Sequence, residues 1–488
     1  MPGSETSSQS EGSGLRLSAT AVAVLYPVVC LAPLVLAMMR DVAPSAPWEI
    51  LAAGLGLVGL AVIAVQFVTS GRFEIVSGRL GIDRVMAFHK TAAWWALLAL
   101  LLHPVAYTVP TFLADPELGR ERLVAYLTLP HYRTGVIALA ALALLVVGSA
   151  FRNRLRLRYE IWRAAHIILA IVALGGGLHH AFAVGRFSAT GPVSIYWWIV
   201  GAAVCAVVLV LYGVRWARLH LRPWRLASVT KLADRLWELD IEPAPGTPPL
   251  RYHAGQFVWM TEGARRFPLF DHPFSIAGSP ARPGVSLIIK EAGDFTNGIG
   301  TLEPGTPIGI DGPFGHFTLE AHNSDGLLLI AGGVGIAPII GILRDLVARG
   351  HEGPVRLAYA AGAPDNFVCL PEIAAAGKTL DLRTLLLSEA ASPDWHGETG
   401  LLDRDRLVTM LGGLEPARTV ALMCGPGPMV TVVSDTLIDL GMPMDRVIYE
   451  RFDYSEGASR LDRRMRRRFL MLGAVLLAGL GGFVALTA

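Results

Sequence analysis

"HKTAAWWALLALLLHP", residues 89–104, is a run of oil-soluble side chains with a histidine at each end. A second stretch, "HIILAIVALGGGLHH" at 166–180, repeats the arrangement. His89 and His103 stand fourteen positions apart, as do His166 and His180. Fourteen residues of α-helix rise about 21 Å and complete nearly four turns. Each pair therefore leaves its helix on nearly one face, with one imidazole towards each membrane surface. His179 is thirteen positions from His166 and is turned round the helix, yet it stays a candidate should the glycines at 175–177 distort the backbone.

The rest of the chain supports a membrane setting for these helices. Of 488 residues, 53% are hydrophobic and only 17% charged, a balance too apolar for an ordinary soluble enzyme. Apolar stretches at about 19–39, 50–68, 85–109, 135–150, 161–184 and 193–214 predict six transmembrane helices. The segment "FRNRLRLRYEIWR" leading into the fifth carries Arg152, Arg154, Arg156, Arg158 and Arg163, and Arg215, Arg218, Arg222 and Arg225 follow the sixth. Short cytoplasmic loops collect such charges, which puts both places and the N-terminus inside. The loop after the third helix mixes Arg120, Arg122 and Arg133 with Asp115, Glu117 and Glu121, as suits the outer side.

On this topology the third and fifth helices run the same way. His89 then meets His166 at the inner level and His103 meets His180 at the outer. Each pair makes a bis-imidazole axial site for a haem standing between the helices. A histidine proton relay would bring acidic partners at mid-membrane, and these helices offer none.

The two ends differ from the middle. Residues 1–16 are polar, rich in Ser and Gly, and read as disordered. At 463–488, Arg463, Arg464, Arg466, Arg467 and Arg468 precede a run of apolar residues, which predicts a seventh spanning helix with its basic flank inside. A net charge of +2 and the lack of a basic, aromatic-interleaved stripe exclude a nucleic-acid binder. The four cysteines, Cys30, Cys205, Cys369 and Cys424, have neither disulfide-framework nor zinc-site spacing.

After a transmembrane domain at 17–217, residues 222–320 alternate in short strands and predict a small antiparallel barrel. A flavin needs an apolar wall, hydroxyl donors near its ring, and amides with a hydroxyl or cation for its pyrophosphate. Phe274, Ser275 and Thr296, with Lys290 and Gly293 nearby, supply those groups. Residues 323–455 alternate strand and helix, predicting a parallel α/β sheet. "IAGGVGIAPI" sets Gly332, Gly333 and Gly335 between a strand and a helix, where a pyrophosphate is held. "MCGPGPM" brings Cys424, Gly425 and Pro426 to the same sheet edge.

Taken in order, the paired histidines, "HPFSI", "GGVGIAP", "CGPGP" and "YERFDY" resemble the ferric reductase and NADPH oxidase superfamily, over residues 17–455. That resemblance implies a ferric-reductase-like haem domain fused to a ferredoxin-reductase-type dehydrogenase. It implies two b-type haems on His89, His103, His166 and His180 or His179. It implies FAD on His272, Pro273, Phe274 and Ser275, with Thr296 near the pyrophosphate. Gly332, Gly333, Gly335 and the turn Cys424, Gly425, Pro426 would hold NADH or NADPH, with Cys424 close to the chemistry. Phe452 or Tyr454 would cover the flavin ring until nicotinamide displaces it.

Three departures bear on specificity. Gly362 stands where relatives that use NADPH often carry arginine, Glu389 follows Ser388 where a Ser-Arg pair is common, and Ala337 replaces Ser or Thr. A carboxylate at 389 repels a 2′-phosphate, which favours NADH. The expected protein is a multi-pass plasma- or inner-membrane enzyme with a cytoplasmic dehydrogenase, reducing an external ferric chelate or dioxygen. Delivery to a periplasmic partner or to quinone is the alternative, and a redox sensor without catalysis a third reading.

Overall fold

The computed structural model describes residues 18–40, 45–70, 73, 81–155, 157–263, 267–320, 323–451 and 457–488. The segment 1–16 and the aromatic candidates Phe452 and Tyr454 lie outside the described residues. Seven helices among the described residues are long and apolar enough to cross a membrane. They include α1 (Ala19–Met38), α2 (Pro47–Gln66) and α3 (Ile82–Ala114). Between α3 and the next span a helix α4 (Pro116–Thr128) forms where the sequence predicts only a loop; the Asp115 carboxylate caps it, accepting from the amides of Glu117 and Leu118. Next come α5 (Arg133–Ala150), α6 (Tyr159–Val184) and α7 (Pro192–Val208). A π-helical turn, Leu209–Val214, carries α7 on into the helical residues Arg215–Leu221.

α2 is the most enclosed span, packed against α1, α3 and the last helix, α10 (Arg460–Thr487). Small residues let these helices close in. A Cβ on Gly54 would stand 2.5 Å from Leu480 Cδ1, and one on Gly479 would stand 2.7 Å from Leu31 Cδ2. Leu98, Leu144, Ile168, Trp198 and Leu477 project from the bundle, the disposition expected of a surface facing hydrocarbon. α10 begins at Arg460, ahead of the basic flank, because Ser459 and Asp462 form a reciprocal capping box.

Below the bundle lies an antiparallel sheet of β1 (Trp224–Ala233), β2 (Leu236–Pro243), β3 (Phe257–Glu262), β4 (His272–Ser275), β5 (Val285–Lys290) and β6 (Pro307–Phe314). Its order is β4-β3-β6-β1-β2-β5, and an Ile276↔Leu287 bridge joins the two ends into a barrel. The second sheet is parallel throughout, in the order β10-β9-β8-β7-β11-β12. It comprises β7 (Gly326–Gly332), β8 (Val355–Ala361), β9 (Leu382–Ser388), β10 (Glu398–Thr399), β11 (Thr419–Gly425) and β12 (Val447–Arg451). Helix α8 (Ile336–Ala348) follows β7, and α9 (Gly427–Asp439) follows β11. β7 has β8 on one side and β11 on the other, so the crevice where the strand order reverses opens at the carboxyl ends of β7 and β11.

Candidate functional site

α6 runs unbroken through the glycines at 175–177, so the fourteen-residue spacing survives as straight helix. Its histidines face those of α3 at two levels. The ring centroids of His89 and His166 are 6.3 Å apart, and those of His103 and His180 are 6.4 Å apart. An imidazole nitrogen sits about 2 Å from a bound first-row metal, so two rings sharing one iron have centroids roughly 6 Å apart. The residues fit bis-imidazole ligation at both levels. The inner rings are inclined by 36° and the outer rings by 88°.

The surroundings of each ring bear on that fit. His103 Nδ1 lies 2.6 Å from the Ala52 carbonyl, which can only accept, so Nδ1 carries the proton and Nε2 is left for a metal. His166 Nδ1 meets the Ser149 hydroxyl at 3.1 Å, fixing that ring too. His89 Nδ1 and His180 Nδ1 are buried and meet no hydrogen-bond partner, an arrangement a folded protein rarely leaves unexplained. Glycines make the room. A Cβ on Gly56 would come within 2.8 Å of His103 Nδ1, and one on Gly135 within 2.6 Å of His180 Nδ1. His179 is exposed, and its Nδ1 pairs with Thr134 Oγ1 at 3.1 Å, so His180 is the residue brought to His103.

In the barrel, β4 carries His272, Pro273, Phe274 and Ser275 and pairs residue for residue with Met260, Trp259, Val258 and Phe257 of β3. His272 stacks on Phe295 at 4.0 Å, with Phe274 6.1 Å from the same ring. These supply an aromatic wall. The Thr296 hydroxyl accepts from the amides of Ala292 and Gly293, at 2.8 and 3.0 Å, and so organises the turn rather than standing alone. Lys290 is exposed at the end of β5.

The two glycine loops meet at the switch point. Cys424 pairs with Ala331 across β11 and β7. Gly335 approaches so closely that a Cβ there would lie 2.1 Å from the Cys424 carbonyl oxygen, and Gly333 adopts a φ of 56° that favours glycine. A Cβ on Gly332 would lie 2.8 Å from Pro426 Cδ, and one on Gly425 2.5 Å from Met429 Cε. The N-termini of α8 and α9 thus open on one crevice, a place suited to phosphate groups. Burial pushes the Cys424 thiol well above its ordinary range, and the neighbouring Glu450 adds to the effect, so this sulfur stays a neutral thiol.

Sequence reading missed what joins the halves. Tyr159 lies 5.5 Å from His272 and 5.8 Å from Trp162, and Trp162 lies 5.4 Å from His166. The signal was there in the i, i+3, i+7 stripe of 159, 162 and 166. Arg163 pairs with Asp271, and Arg215 with Asp311 at 3.2 Å; neither partner shows in the sequence.

Comparison with known proteins agrees with this layout. Residues 55–177 match the family described as ferric reductase like transmembrane component, 223–303 an FAD-binding domain, and 329–435 an oxidoreductase NAD-binding domain. The chain is 32% identical over 190 residues to the reductase component of propane 2-monooxygenase from Rhodococcus jostii, covering 37% of this chain and 50% of that one. It is 31% identical over 216 residues to the ferredoxin–NAD(+) reductase component of the alkene monooxygenase system of Xanthobacter autotrophicus, covering 42% and 62%. The chain thus spans about half to three-fifths of the length of these relatives. A flavohemoglobin structure from Malassezia yamatoensis aligns with a TM-score of 0.46 and 17% identity over 84% of this chain and 99% of that one. By the three matched regions, the chain is a ferric-reductase-like transmembrane domain fused to FAD- and NAD-binding domains of the ferredoxin-reductase type.

Proposed function

We propose that this membrane NAD(P)H oxidoreductase carries electrons from cytoplasmic NADH or NADPH, by way of FAD and two b haems, to an acceptor beyond the membrane, a ferric chelate or dioxygen. The observation that carries the reading is the pair of histidine couples, 6.3 and 6.4 Å across α3 and α6. When bound, flavin and haem supply the conversion of a two-electron donor into single-electron transfers.

The chain's own residues divide the remaining work. The glycine loops of β7 and β11 bind the nucleotide, with Gly332, Gly333, Gly335, Gly425 and Pro426 keeping the backbone clear for it. Glu389, exposed after β9, repels a 2′-phosphate, and the NAD(+) in the name of the Xanthobacter relative also favours NADH. His272, Pro273, Phe274 and Ser275 orient the flavin on the barrel face nearest α6. His89 with His166 and His103 with His180 would hold one haem at each level; with two imidazoles on each iron no coordination site would be left for the acceptor, which would be reduced without binding to the metal.

The test is a reduced-minus-oxidised spectrum of purified protein with haem and flavin quantified. Two haems per flavin are expected, and His103→Ala is expected to lose one of them while flavin and NADH oxidation by a dye persist. A folded, haem-free wild type would end the reading. Superoxide dismutase in a cytochrome c reduction assay then separates dioxygen from ferric chelate as acceptor.

A further inference from the structure

Something must hold the barrel against the inner histidine couple. Arg163 stands three residues before His166 on α6, and Asp271 immediately precedes His272. The arginine side chain is 10% exposed and the aspartate 3%. Arg163 Nη1 donates to the Asp271 carboxylate and, at 3.2 and 3.3 Å, to the carbonyls of Leu269 and Asp271. One guanidinium thus gathers three acceptors from the turn that leads into β4. The same group lies 5.9 Å from the rings of both Tyr159 and Trp259, which keeps water from it on two sides.

This clamp differs from a general anchor. Arg215 and Asp311 fasten the barrel separately at β6, through the helical extension of α7. Loss of Arg163 therefore leaves the barrel fastened at β6, and leaves β4 meeting α6 through His272, whose ring lies 5.5 Å from that of Tyr159 and whose Nε2 lies 3.9 Å from Glu160 Oε1. Tyr159 and Trp162, which fill the space between His272 and His166, share α6 with Arg163 and move with it.

We propose that Arg163 is a positioning residue: it fixes the approach of the flavin-binding strand to the inner histidine couple and thereby sets the rate at which electrons enter the membrane. The proposal rests on the reading of His89 and His166 as haem ligands. The step it would govern is the transfer of one electron from reduced FAD to ferric haem iron, in which no bond would be made or broken and Arg163 would exchange no proton.

The experiment uses the full-length protein loaded with FAD and haem in lipid nanodiscs. NADH-driven haem reduction is followed by stopped-flow absorption, beside NADH oxidation by ferricyanide, which draws electrons directly from the flavin. Arg163→Ala is expected to slow haem reduction about tenfold or more, since small misplacements of reacting groups cost large factors in rate. Ferricyanide turnover, flavin content and haem content stay unchanged, and hydrogen exchange rises in residues 267–275. Arg163→Lys keeps the charge but carries it on a compact ammonium rather than the planar guanidinium whose Nη1 reaches all three acceptors, and is expected to recover part of the rate.

Unchanged haem reduction in Arg163→Ala, or an equal fall in both assays, overturns the proposal. If the alanine variant does not fold, Arg163→Lys decides alone: a loss of roughly threefold or more in haem reduction supports the proposal, and a wild-type rate overturns it. A wild type without a bis-histidine haem spectrum sinks the functional reading itself, an outcome distinct from either.

Discussion

Two side chains illustrate how much rests on single atoms. Gly135 leaves a gap that His180 fills, with only 2.6 Å between a would-be Cβ and Nδ1. Gly135→Leu is therefore expected to displace the His180 ring and, on the proposed reading that each histidine couple would hold a haem, to lower the haem-to-flavin ratio by about half; pyridine haemochrome and flavin assays on the same sample measure it. Glu450 is a different case. Burial, with repulsion from Asp83, pushes its carboxyl up to about 8. Its folded pKa lies above the unfolded one, so the stabilisation is full in acid and is lost as the pH rises towards 8. Thermal unfolding should show stability falling by on the order of 1.4 kcal/mol per pH unit across that window. Glu450→Gln should flatten the slope.

Among the elements, those of strong periodicity were the legible ones. The apolar runs, the matched histidine spacing and the strand–glycine–helix punctuation all express local rules of helix rise and turn formation, so the spans and the two glycine loops could be read directly. Residue pairs distant in sequence could not. Arg163 and Asp271 stand 108 positions apart, and nothing local to either names the other. The spacing already preferred His180 to His179, and what the structure adds is that α6 stays helical through three glycines and sets the His180 ring opposite that of His103.

The last helix shows both kinds of information. Its basic flank and apolar length were plain, but its true start was set by Ser459 and Asp462. Asp462 also receives Arg451 at 2.8 Å and the Tyr449 hydroxyl at 2.9 Å, joining α10 to β12. Both charged side chains are nearly buried, at 6% and 5% exposure. Asp462→Ala leaves an unpaired buried guanidinium and should destabilise this junction by about 3 kcal/mol, seen as a lower melting temperature by flavin fluorescence.

For the molecule as a whole, the two halves meet through enclosed ion pairs rather than through a diffusing encounter. Arg163–Asp271 and Arg215–Asp311 have little contact with solvent, so ions screen them weakly. NADH-driven haem reduction should change less than about twofold on going to about 0.5 M salt, where surface charges are strongly screened. A steep decline would instead indicate that the dehydrogenase docks and releases during turnover.

The course of the chain adds one mechanical consequence. The soluble half hangs from the bilayer by two cords, one entering at Trp224 after the extension of α7 and one leaving at Arg451 towards α10. Moored at both ends and pinned by the pairs at Asp271 and Asp311, that half cannot tumble or drift away. The flavin-binding strand is thereby kept at one berth.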